Sequence, residues 1–152
     1  MTKVIYLMNG PNLNLLGRRD QAIYGKETLE DVINLVKSKA EGLGYEVIPL
    51  QSNHEGQLID WIQQSPGRVD GIILNAGGLT HTSISLRNAV DFARGQGVPT
   101  VEVHLSDIHK REPFRHTSFL TEKCIGQVSG LGVNSYIKGL TDLIQFIGKE
   151  GG

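Results

Sequence analysis

The 152-residue sequence predicts an α/β domain built on an open parallel β-sheet, and two observations carry that prediction. Apolar, β-rich runs alternate with segments whose apolar residues keep a helical spacing, and the connections between them are short. Three of the apolar runs also pass straight into bursts of polar residues: 4–8 into 9–25, 71–74 into 75–83, and 99–103 into 104–106. Strands of a parallel sheet all end on one edge, so three such bursts converge there and assemble a site from residues distant in sequence.

Taken in order, residues 4–8 form the first strand. The loop after it holds Asn9, Asn12, Asn14, Arg18, Arg19 and Tyr24, with its turns set by Gly10-Pro11 and Gly17. Leu29, Val32/Ile33, Val36, Ala40 and Leu43 make one buried helical stripe, and 45–50 the second strand. Ser52 or Asn53 is placed to cap a helix through Leu58, Trp61 and Ile62 that stops at Pro66-Gly67. The third strand, 69–74, leads to a helix capped by Thr82 or Ser83 and carrying Leu86, Ala89/Val90 and Ala93, which ends by Gly95–Gly97. Residues 100–104 form the fourth strand and 124–128 the fifth. A last helix shows Tyr136/Ile137, Leu140, Leu143/Ile144 and Ile147 on one face, with 148–152 expected to fray. The β-α-β-α order with right-handed crossovers gives a flavodoxin-like three-layer sandwich, with a five-stranded parallel sheet in the order 2-1-3-4-5. Its switch point lies between strands one and three, where the Asn9 and Asn75 loops emerge.

The length fits one domain spanning residues 1–152. A net charge of −1, a pI near 6.5 and scattered basic residues provide no electrostatic footprint for nucleic acid or an anionic membrane. The first residues read as a strand rather than a signal peptide, and no apolar run approaches the roughly 20 residues of a membrane span, so a cytoplasmic protein is expected. Cys124 is the one cysteine, which excludes an internal disulfide and a cysteine-rich zinc site; it reads as a buried strand thiol. The five histidines form no spaced ligand set, so no metal is expected. Gly130-Leu-Gly132 is a near miss to a dinucleotide fingerprint that lacks the third glycine and follows the last strand; it reads as a strand-to-helix turn.

Several residues carry candidate chemistry. Tyr24 lies five residues from Arg19. A phenol near pKa 10 serves as a base at neutral pH only where cations such as Arg18 and Arg19 favour its anion, and the alternative is a ring packed against its own loop. Glu102 and His104 are two apart on one strand face, so the carboxylate can hold the imidazole in one tautomer; a satisfied strand-end histidine is the plainer reading. Asn75 with Gly77 and Gly78 suits a carboxylate or phosphate, or a tight turn before a capped helix. His81 can cap that helix or face a ligand, and His54 belongs to a helix start. Residues 106–121, dense in charge from Asp107 to His116 and without a clean strand or long helix, read as a functional loop.

These segments closely resemble type II 3-dehydroquinate dehydratases. The likeness rests on Asn9-Gly-Pro-Asn-Leu-Asn-Leu-Leu-Gly17 with Arg19 and Tyr24-Gly25, Gln51-Ser-Asn-His-Glu-Gly56, Asn75-Ala-Gly-Gly-Leu-Thr-His-Thr-Ser83, and Glu102-Val-His-Leu-Ser106 with Arg111-Glu112 and Phe114-Arg115-His116. It implies dehydration of 3-dehydroquinate to 3-dehydroshikimate in the shikimate or quinate pathway, with no cofactor, no metal and no Schiff base. It also implies a homo-oligomer, usually a dodecamer of four trimers. By resemblance, Tyr24 is the base at C2 and His104 the acid for the departing C1 hydroxyl. Asn12 holds a water on the enolate oxygen, Arg19 keeps Tyr24 anionic within a mobile lid, and Glu102 orients His104. Asn75 and the Leu105 and Ser106 backbone take the carboxylate, and His81 and Arg115 the ring hydroxyls. Two positions depart from the family's pattern. Gln21 stands where the lid usually has Pro, and Asn88 where an Asp usually reaches a neighbouring subunit's site. The competing readings are a flavodoxin-like module binding FMN or a phosphorylated metabolite, which leaves Tyr24 and the Glu102/His104 pair without a task, and an inactive paralogue kept as an oligomeric scaffold, against which every residue carried over except the Asp is present.

Overall fold

The computed structural model describes residues 2–151. Runs rich in Val, Ile and Leu form strands β1 (Lys3–Asn9), β2 (Tyr45–Gln51), β3 (Gly71–Asn75), β4 (Thr100–His104) and β5 (Gln127–Ser129), all parallel, in the order β2-β1-β3-β4-β5. The helices are α1 (Gln21–Tyr24), α2 (Leu29–Glu41), α3 (Glu55–Gln64), α4 (Ile84–Gly95) and α5 (Asn134–Gly151). Side chains alternate across the sheet, and each face has its own core. Ile5, Leu7, Ile73, Val101 and Val103 pack with Val32, Val36, Leu140 and Leu143 of α2 and α5. Tyr6, Met8, Ile72 and Leu74 pack with Leu58 and Ile62 of α3 and Leu86, Val90 and Ala93 of α4. The three-layer, 2-1-3-4-5 expectation is met.

Local chemistry sets the element boundaries. Thr28 and Asp31 form a reciprocal capping box at the start of α2, and the Ser83 hydroxyl accepts the Leu86 N–H at the start of α4. The α3 start departs from expectation: His54 is the flanking residue and caps with no side-chain bond. Ser52 Oγ instead accepts the His54 N–H, while Asn53 Oδ1 accepts the Asn12 N–H at 2.9 Å and ties the loop after β2 to the loop after β1. Cys124 is buried, but it follows a 3-10 turn at Thr121–Lys123 rather than lying in a strand; β5 starts later because its register begins with Glu102 opposite Gln127. The last helix runs on to Gly151, past the start of the segment expected to fray; Gly152 lies outside the described residues.

Parallel register levels the strand ends. Asn9 stands beside both Gln51 and Asn75, and His104 beside Ser129. The loops after β1 and β3 then interlock at Gly10, whose N–H donates to the Asn75 carbonyl at 2.8 Å. A Cβ on Gly10 would fall 2.6 Å from the Ala76 carbonyl oxygen, closer than any real contact, so only glycine lets these two site loops meet.

Candidate active site

The three polar bursts do converge. Asn12, Arg19 and Tyr24 from the first loop, Asn75, Gly77, Gly78 and His81 from the second, and His104, Leu105, Ser106, Arg111 and Arg115 from the third line one cleft of about 150 Å³ at the carboxyl edge of the sheet.

On the cleft's lid side, the Tyr24 hydroxyl accepts hydrogen bonds from two guanidiniums, Arg111 Nη1 at 2.9 Å and Arg19 Nη2 at 3.3 Å. Both guanidiniums also lie over the ring, 5.2 and 4.7 Å from its centre. These positive charges stand where the charge of a phenolate would sit. Arg111 belongs to the segment matched by resemblance, yet sequence reasoning gave it no role; the charge density of its loop was the available signal. Its backbone is held by His116, whose Nε2–H donates to the Arg111 carbonyl at 2.6 Å.

At the end of β4, His104 Nε2 donates to Glu102 Oε2 at 2.5 Å. A carboxylate only accepts, so Nε2 carries the proton of this bond and Nδ1 is the remaining ring nitrogen. Glu102 is fully buried and also accepts from Ser118 Oγ at 2.7 Å and Thr121 Oγ1 at 2.5 Å. Burial alone would raise its pKa, but the bonds from His104, Thr121 and Ser118 reverse the shift and hold it below the ordinary carboxylate value. Ser118 and Thr121 gave no signal in the sequence, because their place depends on how a long loop folds back.

On the opposite face of the sheet, Asn75 Nδ2 donates to the Tyr136 hydroxyl at 2.9 Å, which donates to Asn9 Oδ1 at 2.6 Å. Tyr136 is fully enclosed, and burial pushes its pKa up, so it remains a neutral donor. The bond consumes one Asn75 Nδ2 proton and leaves the second. Its Oδ1 accepts the Gly77 N–H at 3.2 Å, so that turn amide is already spent. The hydroxyl of a tyrosine inside an apolar helical stripe was the overlooked clue, since a buried phenol needs a partner.

His81 Nδ1 lies 2.8 Å from the Thr117 carbonyl, and a carbonyl accepts, so Nδ1 holds the proton. Burial foremost, with the nearby His104 and Arg115 charges, lowers the His81 pKa and favours the neutral ring with an accepting Nε2. Arg115 is paired with Glu112 at 3.3 Å on the rim. Asn12 adopts a left-handed backbone (φ 70°) that turns it into the cleft mouth. Leu105 is buried and Ser106 lies beside Arg111 at 3.5 Å. Of the expected site residues, Glu102 stands behind His104, and Asn88, expected at a neighbouring subunit's site, lies away from this chain's own cleft. It is exposed on α4 between Ile84 and Phe92, which are 60% and 49% exposed. Among the described residues, no group of three or more His, Cys, Asp or Glu is placed to hold a metal ion.

Comparison with known proteins yields one family. The model described as "Dehydroquinase class II" matches residues 3–144. A 3-dehydroquinate dehydratase of Gloeobacter violaceus is 50% identical over 143 residues, 94% of this chain and 88% of its own length. A protein of Aspergillus terreus named catabolic 3-dehydroquinase 1 is 51% identical over 136 residues, covering 90% of this chain and 88% of its own. The crystal structure of type II dehydroquinase from Butyrivibrio crossotus superposes with a TM-score of 0.90 at 39% identity, over 94% of this chain and 98% of that one. A shared fold alone does not produce half identity over about nine-tenths of both sequences, and the chain belongs to the dehydroquinase class II family.

Proposed function

We propose that this chain dehydrates 3-dehydroquinate to 3-dehydroshikimate by anti elimination through an enolate. The observation that carries the reading is the pairing, across one cleft, of a phenol held by two guanidiniums with an imidazole held by a buried carboxylate. The first has the form of a base, the second of an acid.

The Tyr24 phenolate takes the C2 proton, and the electron pair moves onto the C3 carbonyl oxygen as an enolate, which a water held by Asn12 stabilises. Collapse of the enolate breaks the C1–O bond, and a proton from His104 lets the hydroxyl depart as water. Tyr24 has then gained one proton and His104 has lost one, so exchange with solvent resets the pair. Asn75, through its free Nδ2 proton, and the Leu105 and Ser106 amides take the substrate carboxylate. The accepting Nε2 of His81 and the Arg115 guanidinium take ring hydroxyls, and Arg19 closes with the lid. No lysine lies among the cleft residues, in keeping with a route that forms no Schiff base.

The same reading extends to assembly. The apolar stripe Ile84/Phe92 around Asn88 suits a face between copies of this chain, with Asn88 approaching a neighbour's cleft in a trimer and four trimers forming a dodecamer. Its setting is the cytoplasm, where a single buried thiol and no disulfide suffice. The FMN-module and inactive-paralogue readings leave the Tyr24 and His104 arrangements unused. Purified protein incubated with 3-dehydroquinate after exhaustive chelation should yield the ultraviolet absorbance of the conjugated enone acid, and protein treated with borohydride in the presence of substrate and then freed of both should keep that activity. No absorbance after chelation, or inactivation by borohydride with a trapped lysine adduct, would overturn the reading.

A further inference from the structure

We propose that Ser118 and Thr121 are positioning residues that hold Glu102 as an anion and thereby deliver His104 to the cleft as a protonated acid. This deepens the dehydratase reading and rests on it.

Proton accounting supplies the argument. Ser118 Oγ accepts the backbone N–H groups of Leu120 at 3.1 Å and Thr121 at 3.3 Å, which occupies both its lone pairs. Its single proton is therefore left for Glu102 Oε2. Thr121 Oγ1 accepts from Gln127 Nε2 at 2.9 Å, and an amide nitrogen can only donate, so the Thr121 proton is directed to Glu102 Oε1. The Gln127 amide is oriented in turn by Ser129 Oγ on its Oε1 at 3.4 Å. Both hydroxyl protons are thus committed to Glu102, one on each carboxyl oxygen, and its one further polar partner is His104 Nε2. A protonated carboxyl could donate only to His104 Nε2, and an imidazole is a much stronger base than a carboxylate, so the proton of that contact rests on the ring. The pocket is built for the charged form of Glu102, and that carboxylate lies 2.5 Å from the imidazole Nε2.

Other charges around the pair do not supply this. Arg115 and Arg111 line the same cleft as cations and His81 as a neutral ring, with Tyr24 beside the guanidiniums, so Glu102 is the carboxylate that meets His104. Cys124 sits behind Glu102 as a neutral thiol whose pKa is pushed up by burial and then by Glu102 itself. The hydroxyls also belong to the end of the long loop that carries Arg111 and Arg115. One loop thus carries both the hydroxyls on Glu102 and the Arg111 guanidinium on Tyr24.

The test is the pH profile of kcat and KM for wild type, Thr121→Val, Ser118→Ala and Thr121→Ser, with a parallel NMR titration of the His104 imidazole in the ligand-free proteins. Thr121→Val and Ser118→Ala should each move the alkaline limb of kcat to lower pH by about one unit. KM and the acid limb should stay in place. The imidazole should titrate lower by a similar amount, and Thr121→Ser should restore the limb. An unmoved limb with kcat lowered equally at every pH, or an imidazole titration identical to wild type, overturns the inference. Should Thr121→Val fail to fold, Ser118→Ala carries the same readout. A wild type inactive at every pH defeats the dehydratase reading instead, while the titration still decides the role of the hydroxyls.

Discussion

Burial works against a charge on Glu102, yet its hydrogen bonds from His104, Thr121 and Ser118 make the anion the preferred form. Its folded pKa lies below the ordinary value of 4.5, so the unfolded chain binds the proton more readily. The stability from this group is complete above the unfolded value and is lost as pH falls through the folded one. Glu102→Gln should therefore unfold more easily than wild type at neutral pH, by about 1.5–3 kcal/mol, the range for hydrogen bonds to a charged group. The gap should narrow in acid as wild-type Glu102 protonates; denaturant midpoints from pH 7 downward measure it, and a gap constant with pH would contradict the account. Residues two apart on a strand must share a face, so the Glu102/His104 pair was legible from spacing alone. Tyr24 was legible from its neighbour Arg19. The donors that ionise Glu102 were not, since Ser118 and Thr121 reach it across 16 and 19 residues of irregular chain.

At the scale of elements, strands one to four were legible because β-branched runs end sharply in polar loops. The fifth was placed too early. Cys124 and Ile125 read as strand, but Ile125 only contacts the start of β4 through the Thr100 carbonyl, and laddering begins at Gln127. At Gln21, where the resemblance implies a proline, the loop is tied by a side-chain bond. Gln21 Nε2 donates to the Gly17 carbonyl at 2.9 Å, bridging the loop to the first residue of α1. A proline there would instead preset its own backbone angle. Gln21→Ala should accordingly speed proteolysis after Arg18 or Arg19 in the ligand-free protein by several-fold, and a saturating substrate-like acid should slow it. Equal cleavage of variant and wild type would show that the bond does not stiffen the lid.

For the whole molecule, parallel strand order explains why loops separated by dozens of residues meet at one edge, and this much of the site was readable before any coordinates. Asn88 was legible only through the resemblance, because it is exposed on α4 and does not line the cleft of its own chain. If α4 of one subunit approaches its neighbour's cleft, Asn88→Asp adds a negative charge near cationic groups there. KM should fall or the trimer should resist dissociation modestly, and salt should erase the gain. No change in either property at low ionic strength would place Asn88 away from any neighbour's site. The central claim, that Tyr24 removes the C2 proton and His104 protonates the leaving hydroxyl, is tested most directly by C2 hydrogen exchange with deuterated solvent alongside turnover. Turnover should fall by roughly 10²–10⁴-fold in both Tyr24→Phe and His104→Ala. Exchange should vanish in Tyr24→Phe and persist in His104→Ala, whose lost step comes later. Undiminished exchange in folded Tyr24→Phe would contradict the assignment.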